Sequence, residues 1–165
     1  MEIDRIKVEP GLKLGHIMME GIKAIQMHRT SAIKNAVLCL LAAKTPKHFR
    51  NNDVIHLGDS YFSDFNSPEK HHIFPANFLG KQGIREFSLA NFCFLPAELN
   101  NEIRDKRPSV YFKQLKVENS EFEKTMEGHL IPVGEDSGIW TDDYAKFIQQ
   151  RAELIKAGIR SAIEK

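Results

Sequence analysis

The chain has 165 residues, 42% of them hydrophobic and 27% charged, with a formal net charge of +1. That is the size and composition of one soluble domain with its own core, and the near-neutral balance excludes binding to nucleic acid by bulk charge alone. The longest apolar run, residues 36–43, is eight residues long and too short to cross a bilayer. The opening MEIDRIKVEP is charged where a signal peptide would be apolar, so a cytoplasmic protein with no membrane partner is expected. Cys39 and Cys93 lie in apolar surroundings, AVLCLLAA and NFCFLP, and are expected as buried free thiols; two are too few for a zinc knuckle.

In chain order, Leu14, Ile17, Met18, Ile22 and Ile25 recur at helical spacing and predict a helix over Leu14–Met27. Ser31 is placed to cap a second helix, AIKNAVLCLLAAK, which must stop before Pro46. Its residues are apolar nearly all round, which predicts a place at the centre of the core. A polar loop, RNNDVIHLGDSYFSDFNSPEK, follows, with at most a short strand at Val54–Leu57. Two short extended segments come next, KHHIFP and LANFCFLP, joined by the Gly-bearing GKQGIREF. PAELNNEIRDK reads as a helix with Pro96 near its first turn, and PSVYFKQL and SEFEKTMEGHL read as short helices. The last helix is capped by Thr141 in this reading, with Tyr144, Phe147, Ile148, Ala152, Ile155, Ile159 and Ile163 as one core-facing stripe. The fold class expected is α+β, predominantly helical, as a single domain: a helical part over 12–46, a central unit over about 68–107, and helices over 108–165.

The central unit holds the residues with chemical potential. His71 and His72 stand side by side, and in an extended strand they point to opposite faces. Asn91 follows His72 by 19 residues, within the second extended segment, and Asn100 follows Asn91 by nine, on the next helix. Around them the charge is uneven. Lys81, Arg85, Arg104, Lys106, Arg107, Lys113 and Lys116 face four acids over 81–116, whereas eight acids face Lys124 alone over 118–143. Two solvated faces of opposite sign account for this pattern, as does a basic surface that meets a phosphate backbone.

The order strand, loop, strand, helix, with HHIFP, Asn91 and Asn100 at these positions, resembles the HNH or ββα-metal nuclease motif. Further segments, LCLLAAKTPKHF, RPSVYFKQL, GHLIP and DDYAKFIQQRAELI, resemble the C-terminal HNH domain of GmrSD-type modification-dependent restriction proteins. The resemblance implies a ββα-metal motif embedded in a helical domain, DNA as substrate, and a restriction or phage-defence role. It also implies, as partner, a ParB-like nucleotide-hydrolysing domain or subunit with a DGQQR-type motif, which this sequence does not contain. The resemblance covers most of this chain but only the C-terminal portion of such a protein, which implies a domain that is either excised or free-standing.

Under that resemblance His72 is the general base, since an imidazole accepts a proton near neutral pH. His71 and Asn100 are the metal ligands, and the Asn91 amide orients the motif loop. One histidine, one amide and water suit hydrated Mg²⁺ better than structural zinc. His71 stands where many members of the family carry Asp, and a neutral ligand shifts preference toward Mn²⁺, Ni²⁺ or Co²⁺. Lys70, Lys81, Arg104, Lys106 and Arg107 are the candidates for DNA-phosphate contacts; the last three also read as a solvated helix end favoured by the helix dipole. Asn101 is the alternative register to Asn100. His129, in HLIP, echoes the motif but has no asparagine after it to complete the set, and is expected to be a core or loop histidine. A single HNH site cuts one strand, so a double-strand break would need a homodimer or two successive events. The alternative is a catalytically weak DNA-binding or protein-interaction domain that retains the HNH fold.

Overall fold

The computed structural model describes residues 22–23, 32–57, 72–85 and 88–163. Within them the protein is predominantly helical. The elements are α1 (Ala32–Ala43), α2 (Ala76–Lys81), a 3-10 turn (Leu89–Asn91), α3 (Ala97–Ile103), α4 (Pro108–Glu118), α5 (Phe122–Gly128) and α6 (Tyr144–Ile163). Of the helix expected over Leu14–Met27, only Ile22 and Lys23 are described, both helical and Ile22 fully buried. The rest of that helix and the Ser31 cap lie outside the described residues. No helix among the described residues is long and apolar enough to cross a membrane.

The described residues form no sheet. Between described residues two isolated antiparallel bridges form, Lys47 with Val54 and His72 with Phe92. The local chemistry explains the second. Pro75 closes the extended run after His72, because a proline has no N–H for a ladder. On the other side, the Ser88 hydroxyl accepts from Ala90 N at 3.2 Å and winds the chain into the 3-10 turn just before Phe92.

The long helix α6 organises the rest. It starts where Lys146 N donates to the Asp143 carboxylate at 3.0 Å, so Asp143 and not Thr141 is its cap. Thr141 is held instead in the tight turn that precedes the helix. That turn needs Gly138: a Cβ there would meet Asp143 O and lie 2.6 Å from Phe147 N. Tyr144, Phe147, Ile148, Ala152, Ile155 and Ile159 are buried along one stripe, as their spacing predicts, while Ile163 is exposed at the end. Asp142, freed from α6, serves the neighbouring helix. Its carboxylate accepts from Ser109 N and Ser109 Oγ, both at 2.8 Å, and so satisfies the open N-terminus of α4.

The sequence-based expectation that α1 lies at the centre of the core is corrected. It packs along α6, where Leu40 lies so close to Gly158 that a Cβ there would come within 2.9 Å of a Leu40 methyl. Only Val37 and Leu41 of α1 are buried. Cys39 is exposed, contrary to the buried thiol expected, because one side of α1 meets α6 and Cys39 does not fall on it. Cys93 is buried, and burial pushes its thiol up to about 12.

Residues 44–57 are fixed on the far side by a buried amide. Asn119 Nδ2 donates to Phe49 O at 2.8 Å, and Asn52 Nδ2 donates to Asn119 Oδ1 at 2.9 Å. Asn52 sits at φ +63°, a conformation asparagine tolerates better than most residues. The same segment brings Lys47 to His129, which is buried as expected. The His129 Nε2 lies 2.7 Å from Lys47 O, to which the Nε2–H tautomer donates, and the ring stands edge-on to Phe49 with centroids 4.8 Å apart.

Burial pushes the His129 imidazole down to about 4, against the opposing effect of the Lys47 contact. The folded protein therefore holds His129 neutral, while the unfolded chain takes up a proton below the ordinary value of about 6.5. Stability from this group is complete above that value and is lost as pH falls toward 4. Between neutral pH and about 4.5 the expected loss is about 2 kcal/mol, read from urea unfolding, with one proton taken up on unfolding. His129→Gln should flatten this window; an unchanged slope would contradict the assignment.

Candidate active site

The segment after His72 is pinned at every polar backbone atom. Ile73 N donates to Asn91 O at 2.9 Å, and the Tyr111 hydroxyl donates to Ile73 O at 2.6 Å. The Asn91 side chain spans the next residue: Phe74 N donates to its Oδ1 at 2.8 Å, and its Nδ2 donates to Phe74 O at 2.9 Å. Asn91 is fully buried, and an amide is the side chain that can accept and donate at once on one peptide. Buried backbone groups require such partners, so this arrangement fixes the strand-like run with little freedom. Phe74 completes the anchor, its ring 4.9 Å from Phe147 and 5.4 Å from Tyr144.

Behind Asn91 stands Arg151, which is fully buried. Its Nη1 donates to Ala90 O at 2.8 Å and also to Phe92 O, the two carbonyls flanking Asn91. Its Nη2 donates to His129 O at 3.1 Å and its Nε to Leu130 O at 3.2 Å. One side chain thus joins the Asn91 segment to the turn after α5. Burial drags its guanidinium down to about 10.

From this platform the chain enters α2 through Pro75, turns at Gly83 (φ +76°), and returns through Leu95 and Pro96 into α3. Between α2 and α3 lies a half-open cleft of about 560 Å³. His72, only 5% exposed, lines it together with Asn100, Asn101 and Arg104, and so do Asn77 and Arg85. His72 and Asn100, remote in sequence, therefore open onto one cavity. Asn91 does not line it and acts from behind.

The remaining candidates separate. His71 and Lys70 lie outside the described residues. Lys81 is at the margin: its Nζ lies 2.6 Å from the carboxylate of Asp105, which does line the cleft. That contact holds the Asp105 carboxyl below its usual range. Lys106 is not brought to the cleft; it lines a groove behind α3 with Arg50, Glu102 and Tyr111. There Arg50 pairs with Glu102 at 2.8 Å and Glu118 at 2.7 Å, and Lys106 adds to the field that lowers both carboxyls. Arg107 occupies the cap position of α4 and does not line the cleft either.

Several residues here were not anticipated. Arg151 carried a signal, since it falls on the spacing of the α6 stripe between Ile148 and Ala152 and is the charged member of an apolar face. Arg85 was counted in the basic stretch over 81–116 but not singled out for the site, and Asn77 and Asp105 carried no signal, each being one polar residue among others in a helix or at its end.

Among the described residues, the donors lining the cleft are one imidazole, neutral amides, and a carboxylate already paired with lysine. No group of three or more His, Cys, Asp or Glu side chains gathers among the described residues. Such a set does not fit a closed zinc site, and it fits a hard divalent ion that keeps most of its shell as water and substrate oxygen. Compared with protein-family models, curated proteins and solved structures, the chain matches none.

Proposed function

We propose that this chain is a metal-dependent endonuclease domain of the HNH type that hydrolyses DNA phosphodiester bonds in the His72–Asn100 cleft. The observation that carries the reading is the joint opening of His72 and Asn100 onto one cleft, with Asn91 locking the backbone after His72 from behind. The bridged pair His72–Phe92, with α3 beginning at Ala97, supports the reading of a ββα-metal motif at this place. A restriction or phage-defence setting, with a ParB-like nucleotide-hydrolysing partner, belongs to the same reading and rests on the resemblance alone.

In this reading His72 accepts the proton of a water whose oxygen attacks phosphorus, and the bond to the 3′ oxygen breaks. The reading makes His71 and Asn100 the ligands of Mg²⁺, with Mn²⁺, Ni²⁺ or Co²⁺ as substitutes. A bound ion there supplies charge stabilisation to the phosphoryl and leaving oxygens. Arg104 is available to the phosphate, and Asn91 keeps the backbone beside the imidazole from shifting.

The test is relaxation of supercoiled plasmid across a titration of Mg²⁺ or Mn²⁺. Asn100→Ala is expected to fold normally and to need about tenfold more metal for half-maximal nicking. An unchanged metal requirement would remove Asn100 as a ligand. DNA binding without nicking under any of the four metals would leave a binding domain that retains the fold.

A further inference from the structure

The cleft carries two guanidinium groups, and the sequence pointed to only one of them as part of the site. Arg104 comes from the end of α3, where φ +46° turns the chain and its Nε donates to Asn101 O at 2.9 Å. Arg85 comes from the α2 side, just after the Gly83 turn, and is exposed. Among the described residues Arg85 makes no hydrogen bond or ion pair, and Arg104 makes no ion pair. The carboxylate lining the cleft, Asp105, is taken by Lys81 at 2.6 Å. Among the described residues lining the cleft the lysine pairs with the carboxylate, whose field Arg104 shares without forming an ion pair, and the two arginines leave an excess of positive charge around a cavity of about 560 Å³.

We propose that Arg85 and Arg104 form a two-sided clamp for one phosphodiester group of a DNA strand, with Arg85 the specific phosphate contact contributed by the α2 side of the cleft. The proposal rests on the reading of the cleft as a phosphodiester site. A guanidinium offers paired N–H donors that match two phosphoryl oxygens, and its charge is fixed at any working pH. Two of them arriving from different elements define a position for the phosphate, where one alone would only attract it. Lys81, held by Asp105, keeps that carboxylate from repelling the incoming strand.

The experiment is fluorescence anisotropy of a short labelled DNA duplex with the full chain, in chelator so that no cutting occurs, over about 50–200 mM salt. Arg85→Ala and Arg104→Ala are each expected to weaken binding about tenfold and to lower the salt slope by about one. Because both hold one phosphate, the double variant should lose less than the product of the two single losses. Arg85→Lys should recover part of the binding, and Lys113→Ala, equal in charge change and away from the cleft, should stay within about twofold of wild type. Arg85→Ala binding like wild type would overturn the clamp, as would an equal loss in Lys113→Ala or no binding by the wild-type chain. Since binding is read without chemistry, a protein that binds in this pattern but never nicks would sink the nuclease reading and leave the clamp. A protein that nicks while Arg85→Ala binds normally would do the reverse.

Discussion

Replacing Arg151 by methionine is expected to destabilise the protein by about 3 kcal/mol, because buried carbonyls lose their donor. Methionine fills much of the same volume, so the loss comes from polarity. The carbonyls of Ala90, Phe92, His129 and Leu130 all give up a charged donor inside the core. An unsatisfied buried carbonyl costs about 1–3 kcal/mol, and the relief of no longer burying a guanidinium offsets only part of that sum. For a chain of this size the midpoint of thermal unfolding should fall by about 10 °C. Arg151→Lys keeps the charge but not the forked geometry, and should recover less than half of the loss. Because Ala90 and Phe92 flank Asn91, the folded fraction of Arg151→Met should also bind and cut DNA less well. A methionine variant as stable as wild type would show that Arg151 is not the tie between the Asn91 segment and the C-terminal half.

His72→Ala carries the largest expected effect on activity: a fall of at least about a hundredfold in metal-dependent nicking, the usual contribution of a positioned general base. The fold should survive. The neighbouring backbone is held through Ile73 and Phe74 by Asn91 and Tyr111, none of which uses the imidazole. The side chain lies on the cleft wall, so truncation enlarges an existing cavity rather than opening a new one in the core. Stability should drop by about 1 kcal/mol, far less than for Arg151→Met. A variant that loses activity only because it melts would point to a structural histidine.

What the sequence made legible follows the range of each interaction. The α6 stripe, the start of α4 at Pro108 and the placement of α3 after Pro96 are local patterns, and they appear in the structure where the spacing puts them. The position of α1 was not legible, because an apolar helix does not say which neighbour it meets or how much of it that neighbour covers. Capping by Asp143 instead of Thr141 depends on the turn at Gly138, which hands Asp142 over to α4. Of the site candidates, His72 and Asn100 line one cleft and Asn91 holds the backbone after His72, whereas His71 and Lys70 lie outside the described residues. The charges beyond Asn100 were not separable by spacing. Arg104 sits at φ +46°, so the chain reverses there and sends Lys106 toward Glu102 and Glu118 while Arg104 stays at the cleft. Arg85 is one of seven basic residues over 81–116 in the sequence, and its place at the cleft shows only once α2 and α3 face each other.

The most direct measurement is nicking of supercoiled plasmid by the wild-type chain and by His72→Ala, at equal concentration and with Mg²⁺, Mn²⁺, Ni²⁺, Co²⁺ or chelator. The expected result is relaxed circles from wild type with at least one of these metals, none in chelator, and almost none from His72→Ala while its melting curve stays close to wild type. Equal relaxation by both proteins, or intact plasmid with the wild-type chain under every metal, would contradict a phosphodiester-cutting site at His72.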